Sequence, residues 1–452
     1  MTRRGLVLCA LGTGIVLAVA AGLATRAPED IGGMTRDRTE LYIAAAAGAG
    51  ALYAAAAWQV LRGPAGRGAL AAVLGLALAM RASTMLSPPL LSTDIYRYVW
   101  DGRVQAAGIN PYAHLPVAPE LRGLRDDGTG AEAIYPNINR ADFAPTIYPP
   151  AAQAIFAAVG LAWPTIWGMK AAMLLFDLLG IGAALLLLRA ATLPLERVLI
   201  LAWNPLIVWE FAGAGHIDAA ALGLSGLALL AAARRYPATA GLALAGAILC
   251  KLLPAALAPA LWRRWDWRLP VAVGAVTVMG YGAYALGGWG AGWRVLGYLP
   301  GYASEEGLGE GGGFFLLRAL AVLVPVPRWA GLAYAALAGA GLLALAAWVA
   351  LRTPLPDAAP ARTRVICRDA VLLTGATMAA LSPHYPWYFT ALVLPCVVWP
   401  NPAALWLTLA APVLYLDHGL GMVAAPALIF LPAAALLAMP LFQRRPHPAL
   451  SA

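Results

Sequence analysis

Long apolar runs with almost no charge recur from one end of the chain to the other, among them Leu6–Ala24, Leu41–Leu61, Ala69–Leu86 and Met422–Met439. A helix needs about 18 to 20 such residues to cross the hydrocarbon core of a bilayer. The runs are continuous rather than alternating, and backbone groups in lipid must be satisfied internally, so the runs predict helices. We therefore expect an all-α polytopic membrane protein with roughly 12–14 transmembrane helices and a single domain over residues 1–452.

The composition agrees with a membrane protein. Hydrophobic residues make up 61% of the chain and charged residues 12%, whereas a soluble domain carries about 25% charged residues. The net charge of +9 comes from residues in short loops between apolar runs, so it does not form the basic face that would bind nucleic acid. The four cysteines lack the spacing of a metal site or a disulfide framework, and we expect inert buried thiols.

The distribution of arginine predicts the orientation, because cytoplasmic loops collect basic residues. Arg3 and Arg4 precede the first run, which is too long for a cleaved signal peptide and is predicted to be an uncleaved span. The third run ends near Pro88, so the polar segment 91–149 is predicted to be a large extracytoplasmic loop. The other basic loops are assigned to the cytoplasm, which predicts an inner (cytoplasmic) membrane protein with both termini in the cytoplasm. These loops contain Arg62, Arg67, Arg189, Arg197, Arg234, Arg235, Arg263, Arg264, Arg268, Arg352, Arg362, Arg364, Arg368, Arg444 and Arg445.

Two apolar segments, Ala151–Trp163 and Phe314–Val324, are short for a membrane crossing. They predict re-entrant or interfacial helices. The sequence also has no evident internal repeat, which disfavours transporter folds built on inverted repeats.

A cluster of polar and aromatic residues lies just beyond the third run, within residues 92–103. In a helix, Arg97 would share a face with both Asp94 and Asp101. The same spacing also suits an interfacial helix held by ordinary ion pairs, so spacing alone leaves both interpretations open. The cluster contains Asp94, Tyr96, Arg97, Trp100, Asp101 and Arg103, and Asn110 and Tyr112 follow it.

A second cluster contains Glu210, His216 and Asp218, near the outer end of a predicted span. Ionisable groups at membrane depth are costly and are therefore functional candidates, although a solvated helix end would also explain them. Lys251 interrupts an apolar run in a chain that has one other lysine, Lys170. Its ammonium group would suit a lipid phosphate as a point charge, or it would extend to the interface.

A third cluster surrounds His384 and Tyr385, between two predicted spans on the outer side, where an aromatic belt at a turn is the alternative interpretation. Together the clusters would supply carboxylates for general-base catalysis, cations for a phosphate leaving group, and aromatic faces for sugars. No nucleotide-binding motif or zinc motif is present. Glu305, Glu306 and Glu310 occupy a Gly-rich outer loop that could also line this face.

The segment DIYRYVWDGRVQAAGINPY at 94–112 resembles glycosyltransferases of the GT-C superfamily, and most of all family 87 and the polyprenol-phosphate-mannose-dependent mannosyltransferases. Supporting motifs are Tyr148 with two prolines, Asn204-Pro, Gly215-His-Ile-Asp, Lys251 with Pro254, and His384-Tyr-Pro-Trp-Tyr. The resemblance covers about residues 90 to 390. It implies a GT-C bundle with juxtamembrane helices in the outer loop, and inverting transfer of a sugar, with mannose favoured, from a polyprenyl-phosphate donor to an acceptor hydroxyl on a glycan or glycolipid.

The resemblance assigns the general base to Asp94, with Asp101 as second choice. From charge, the candidates for the donor phosphate are Arg97, Arg103 and Lys251. The candidates for binding the sugar or the acceptor are Tyr96, Trp100, Asn110, Tyr112, Tyr148, His216, Asp218, His384 and Tyr385.

The GT-C pattern of two adjacent acids that bind a divalent metal is not present, since Ile95 and Tyr96 follow Asp94. We therefore expect no obligatory metal or cofactor. A transporter or flippase for lipid-linked glycans is the alternative function, and Asp177 and Lys251, within apolar runs, are the residues that support it.

Overall fold

The computed structural model describes residues 2–442 except 28–29, 67, 127, 263–265, 287–291 and 353, and it omits the side chains of residues 417–422 and 440–442. Within this part of the chain all regular structure is helical, as predicted. The predictions for Arg67, Arg263, Arg264, Arg444 and Arg445 fall outside the described residues. The α-helices are α1 (Arg3–Ala24), α2 (Arg36–Leu61), α3 (Ala69–Met85), α4 (Asp94–Ala106), α5 (Pro150–Ala162), α6 (Ile166–Ala190), α7 (Leu199–Ala202), α8 (Pro205–Ile207), α9 (Asp218–Ala233), α10 (Pro237–Ile248), α11 (Ala258–Leu261), α12 (Arg268–Ala285), α13 (Leu299–Glu305), α14 (Phe315–Leu323), α15 (Ala330–Leu351), α16 (Ala359–Leu381), α17 (Val393–Cys396), α18 (Pro402–Ala410) and α19 (Asp417–Phe442).

Shorter helical segments interrupt or join these helices. Val208–Gly213 is a π-helix that continues α8. The 3-10 segments are Pro119–Leu124, Tyr135–Asn137, Leu195–Val198, Leu253–Leu257, Gly292–Leu296, Pro386–Leu392 and Ala411–Leu416.

Four described helices are individually long and apolar enough to cross a membrane: α1, α2, α6 and α15. A fifth is formed if the segments Pro205–Gly213 and Asp218–Ala233, which bend by 118°, count as one span. The two apolar segments that are short for a membrane crossing form α5, of 13 residues, and α14, of 9 residues. Any further crossings require broken helices or apolar helices of fewer than 18 residues, so the predicted number of spans stays a prediction.

The surface of α15 has the character of a helix in contact with lipid. Only 6% of its apolar 18-residue stretch is buried inside the protein, and Leu332, Leu337 and Leu343 are exposed. Apolar side chains that are not covered by protein are stable in hydrocarbon and costly in water. The fold is therefore that of a polytopic membrane protein.

The centre of the bundle is formed by α6 against α9, where glycines allow the backbones to approach closely. A Cβ atom at Gly223 would lie 2.6 Å from the Phe176 carbonyl oxygen, the kind of close packing that small residues permit in membranes. Nearby, Arg81 of α3 forms a buried two-pronged ion pair with Asp177 of α6, at 2.6 and 3.0 Å. Arg81 also donates to the Ala202 carbonyl oxygen at 2.6 Å, so the pair joins three helices.

The bend between α8 and α9 follows from local sequence. Asn204 accepts hydrogen bonds from the amides of Leu206 and Ile207 and so caps a helix that begins with Pro205. Gly215 then adopts a left-handed φ of +73°, where a Cβ atom would lie 2.6 Å from Ile95. The turn brings His216 beneath α4.

Helix α4 packs directly on α5 through two glycines. A Cβ atom at Gly102 would lie 2.3 Å from the Phe156 carbonyl oxygen, and one at Gly160 would lie 2.2 Å from the Gly102 carbonyl oxygen. The glycine in the Asp-Gly pair of the sequence motif is therefore required for the contact that fixes α4, the helix that carries Asp94.

We expect Gly102→Ala to lower the free energy of unfolding by about 1–3 kcal/mol, the usual cost of overpacking a tight contact. Denaturant-induced unfolding in detergent micelles measures this. Gly123→Ala is the matched control, because a Cβ atom there would meet no atom within 4 Å. Equal stability of the two variants would contradict the role given to the α4–α5 contact.

Candidate active site

Asp94 lies in the first turn of α4, as the sequence predicted, and its carboxylate faces other segments of the chain. Its amide donates to the Ser92 hydroxyl at 3.2 Å, and a carboxylate in this position is favoured by the helix dipole. Oδ1 accepts a hydrogen bond from Asn139 Nδ2 at 3.0 Å. Oδ2 lies 3.9 Å from His216 Nδ1, and the Asp94 side chain remains 19% exposed. Asp94 is thus held in place yet accessible.

Arg97 and Asp101, which share a face of α4, form an ion pair with 2.9 Å between Arg97 Nε and Asp101 Oδ1. Both side chains are buried, and Asp101 Oδ2 also accepts hydrogen bonds from Thr146 and Gln153. Arg97 donates to the Ala144 carbonyl oxygen at 3.0 Å. This closed network ties α4 to the end of the 91–149 loop and suits a positioning role. Catalysis by Asp101 and phosphate binding by Arg97 stay predictions.

The side chains of Tyr96, Trp100 and Arg103 contact the part of the 91–149 loop that follows α4. The Tyr96 hydroxyl donates to the Ala131 carbonyl oxygen at 2.8 Å, and Trp100 is buried with its ring 5.5 Å from that of Tyr135. Arg103 donates to Asp126 at 3.0 Å. A helix turns by about 100° per residue, so Arg103 lies on the face of α4 opposite Asp94. The structure does not bring these side chains to the Asp94 carboxylate.

Asn110 and Tyr112 fasten the chain after α4 to α12. Asn110 donates to the Tyr284 carbonyl oxygen at 2.9 Å, and the Tyr112 ring packs 5.3 Å from that of Tyr284. The Tyr112 hydroxyl donates to the Tyr148 carbonyl oxygen at 2.6 Å. Tyr148 itself lies near enough to Asp94 for electrostatic interaction. Of these three candidates, Tyr148 is the one that approaches the site.

His216 is stacked in a row of aromatic rings beside Asp94. Its ring lies 4.1 Å from that of Trp387 at 22°, and Trp387 lies 4.7 Å from Tyr385 at 12°. Tyr385 also interacts electrostatically with Asp94. Stacked aromatic faces beside a carboxylate offer apolar surface to one side of a sugar ring.

Lys251 and Asp218 form an ion pair, with 3.0 Å between Lys251 Nζ and Asp218 Oδ2. The ammonium also lies 4.2 Å from the centre of the Tyr388 ring, a cation–π contact. Asp94 is close enough for its charge to act on Lys251. The structure therefore brings together candidates from four separate segments, represented by Asp94, Asp218, Lys251 and Tyr385.

Beside Lys251 lies a narrow, mostly apolar groove that is open on one side. We name it the Lys251 groove. One wall is a stripe along α9 that starts at Asp218 and continues through Leu222, Ser225 and Leu229. These positions are three or four residues apart and share a helix face. The other walls come from Leu253, Pro254, Leu257, Thr374, Thr390, Ala391, Leu394 and Pro395.

His384 connects to the Gly-rich loop rather than to Asp94. His384 Nδ1 lies 2.8 Å from Glu306 Oε2, and His384 Nε2 lies 3.0 Å from Arg318. The Tyr302 hydroxyl, from α13, lies 3.1 Å from that of Tyr388. We name residues 299–314 the outer strap. It passes next to the contact between Lys251 and the Tyr388 ring, and the polar contacts of Tyr302 and Glu306 hold it there.

Glu306 holds the outer strap through its ionised form. Burial alone would raise the pKa of Glu306, but hydrogen bonds from His384 and Tyr302 outweigh burial and lower that pKa below its usual value. A carboxyl group with a lowered pKa contributes stability above its unfolded pKa, about 4.3. That contribution is lost as the pH falls through the lower folded value.

We expect Glu306→Gln to raise amide hydrogen exchange within residues 299–314 about tenfold at neutral pH, as for loss of a charge-assisted hydrogen bond worth ~1.5 kcal/mol. Acidification of the native protein below about pH 4 should lower the protection factors of the same residues, after correction for the slower intrinsic exchange of amides in acid. Hydrogen exchange with mass spectrometry in detergent measures both. Glu310→Gln, at an exposed position of the same segment, is the control. Exchange unchanged by Glu306→Gln would contradict the account.

Several side chains at the site had no role assigned from the sequence, although Glu210 was already a functional candidate. Glu210 contacts His216 and Tyr415, and Asn139 contacts Asp94. Trp387 and Tyr388 belong to the same motif as His384, so their proximity to it was a usable signal. Asn139 and Tyr415 reach the site through tertiary packing that no local pattern marks.

The described residues contain no group of three or more His, Cys, Asp or Glu side chains arranged to hold a metal ion. The four cysteines are free, and three of them are buried. The expectation that no metal is obligatory stays a prediction.

Comparison with known proteins gives one match. No curated protein and no solved structure matches the chain. A family model described as the N-terminal domain of alpha-(1→6)-mannopyranosyltransferase matches residues 4–265. The match covers more than half of the chain, including α4, the bent α8–α9 pair and Lys251. The chain therefore belongs to the MptA/B family of alpha-(1→6)-mannopyranosyltransferases, and it is a membrane mannosyltransferase.

Proposed function

We propose that this mannosyltransferase takes mannose from a polyprenyl-phosphate donor and transfers it, with inversion, to a hydroxyl group of a glycan or glycolipid. The family description supports the 6-hydroxyl of a mannose residue as the acceptor. The observation that carries the proposal is the position of Lys251: a cation at the end of an apolar groove, within electrostatic reach of Asp94.

The Lys251 groove has the chemistry of a site for a lipid phosphate. Its stripe on α9 runs from Asp218 to Leu229, a length of about 16 Å at 1.5 Å per residue. An isoprenoid chain can bury apolar surface along such a stripe. The ammonium group of Lys251 can neutralise a phosphate, and its pair with Asp218 fixes its position. A nucleotide sugar would gain nothing from the apolar walls.

In the proposed reaction, Asp94 accepts the proton of the acceptor hydroxyl as that oxygen attacks C1 of mannose. The bond between C1 and the phosphate oxygen breaks, and polyprenyl phosphate leaves with the electron pair. Lys251 stabilises the negative charge on the leaving phosphate. Attack opposite the leaving group inverts the configuration at C1. The free face of Tyr385, at the end of the aromatic row, holds the sugar during transfer.

The proposal includes no obligatory metal, because Ile95 and Tyr96 follow Asp94 where a metal-binding GT-C enzyme has a second acid. Loss of activity in chelator, with recovery in magnesium or manganese, would contradict this part.

We further propose that the site faces outward from the inner (cytoplasmic) membrane and that both termini are cytoplasmic. The distribution of charge between the two ends of the helices supports this orientation. Helix α9 begins at Asp218, in the site, and ends beside Arg234 and Arg235. Helix α16 runs the opposite way, from Arg362 to the segment that carries His384. Basic ends opposite the site fit the tendency of basic residues to remain in the cytoplasm.

A transporter of lipid-linked glycans is less well supported. Such a protein needs charges that line a path through the membrane. Asp177, the best candidate for that role, is buried and bound on both carboxylate oxygens by Arg81.

Sealed proteoliposomes test the proposed reaction and its sidedness. They would contain polyprenyl-phosphate [14C]mannose, and α-(1→6)-mannotriose would be supplied outside as an acceptor that cannot cross the bilayer. We expect labelled tetrasaccharide only where the end of the protein that carries Asp94 faces the acceptor, with the anomeric configuration opposite to that of the donor. Retention of configuration, or transfer at the opposite face, would overturn the mechanism or the orientation respectively.

A further inference from the structure

Glu210 is a buried acid without a place in the reaction described above. It lies in the π-helical segment Val208–Gly213 and is 2% exposed. Single π-helical turns occur often at functional sites because they redirect side chains. Tyr415 donates to Glu210 Oε1 at 2.9 Å. Glu210 Oε2 lies 3.3 Å from His216 Nε2.

His216 lies between two carboxylates. Its Nε2 faces Glu210 at 3.3 Å and its Nδ1 faces Asp94 at 3.9 Å, while the side chain is 1% exposed. Neither ring nitrogen completes a hydrogen bond to a described residue in this structure, and Glu210 Oε2 likewise lacks one. A neutral imidazole donates from one nitrogen only and would turn a lone pair toward the other carboxylate. An imidazolium donates to both.

We infer that Glu210 is a positioning residue that holds His216 as an imidazolium against Asp94 and so keeps Asp94 ionised, ready to accept the acceptor's proton. This inference rests on the proposed function. Its physical basis is that a carboxylate is costly to bury without a cation, so the buried Glu210 and the partly buried Asp94, which face the same ring, favour the charged ring. Lys251 is matched by Asp218 at 3.0 Å, which leaves His216 as the cation in contact with Asp94 and Glu210.

The surroundings of the three groups come from several elements. Lys170 of α6 approaches the Gly215 turn, but its ammonium group donates to the carbonyl oxygens of Thr84 and Ser87. Trp387 covers one face of the His216 ring. Other titratable groups within electrostatic reach of Glu210 or Asp94 include Tyr42, Tyr98, Tyr148, Lys251, Tyr385 and Tyr415.

The test is the pH dependence of kcat/KM for transfer from polyprenyl-phosphate mannose to octyl α-(1→6)-dimannoside by the full chain in detergent. Glu210→Gln should leave His216 neutral, so that Asp94 loses the positive charge beside it, and the acid limb of the profile should move to higher pH by about one to two units. His216→Gln should move it in the same direction. If Glu210 acts through His216, the double variant should shift no further than His216→Gln alone.

His114→Gln is the matched control, since His114 lies 3.8 Å from Glu120 in an exposed pair that belongs to the 91–149 loop. Its acid limb should match that of the native protein. Tyr415→Phe provides a milder second variant in case Glu210→Gln does not fold, and it should cause a smaller shift in the same direction. Native acid limbs in both Glu210→Gln and Tyr415→Phe would overturn the inference, as would additive shifts in the double variant. Transfer by Asp94→Asn would instead overturn the proposed function.

Discussion

Asp94→Asn should reduce mannosyl transfer by about a thousandfold, within the usual contribution of a general base. The amide keeps the size of the carboxylate and can still contact Asn139 and His216, but it cannot accept the acceptor's proton. The Asp94 side chain does not support the α4–α5 contact, so the variant should fold and bind donor. Transfer of [14C]mannose by purified protein, with donor binding measured in parallel, gives both quantities.

The matched control for Asp94 is Asp142→Asn, an exposed acid in the same 91–149 loop. It should retain native transfer rates. Asp101→Asn offers a second comparison, because Asp101 is bound by Arg97, Thr146 and Gln153. We expect Asp101→Asn to lower stability along with activity, whereas Asp94→Asn lowers activity alone. Full activity of Asp94→Asn would remove the base from the mechanism.

Lys251→Met should have the second largest effect, with the KM for the donor rising at least about 100-fold, as expected when one partner of a buried charge pair is lost from a binding site. The variant also leaves Asp218 buried without its cation. Breaking a buried ion pair in this way costs about 3–5 kcal/mol of folding free energy. Two separate measurements, donor kinetics and unfolding in detergent, should therefore both change.

The double variant Lys251→Met with Asp218→Asn separates these two effects. Removing both charges should restore much of the stability, since no uncompensated charge remains. It should not restore donor affinity, because the cation for the phosphate is still missing. Arg234→Met, exposed at the other end of α9, is the control for a general loss of positive charge. Recovery of donor affinity in the double variant would show that Lys251 serves folding alone.

The fold class was predictable because it depends on long apolar runs, which are a property of local sequence. The helix at 94–106 and its Arg97–Asp101 pair were predictable for the same reason, since i,i+4 contacts require nothing beyond the helix itself. The path of the chain through the membrane was not. Asn204-Pro caps α8, a π-helical turn follows, and Gly215 reverses the direction into α9, so one apolar run becomes two segments at 118°.

The site was predictable only in part. Asp94 was selected through the family resemblance, whereas His216, Asp218 and Lys251 drew attention as ionisable groups near or within apolar runs. The structure brings the four together. Arg103 was also selected by its charge, but helical geometry directs it to the opposite face of α4, where it binds Asp126. Glu210 was selected as an ionisable group near the end of a predicted span, yet its contact with His216 depends on the π-helical turn. Such contacts depend on tertiary packing, which a single sequence does not specify.

The most direct test of the central claim is the choice of donor. Purified native protein in proteoliposomes would be given polyprenyl-phosphate [14C]mannose in one experiment and GDP-[14C]mannose in the other, with octyl α-(1→6)-dimannoside as acceptor in both. The account predicts trisaccharide product from the lipid-linked donor alone, because the Lys251 groove binds a prenyl phosphate. Equal or greater transfer from GDP-mannose would contradict it.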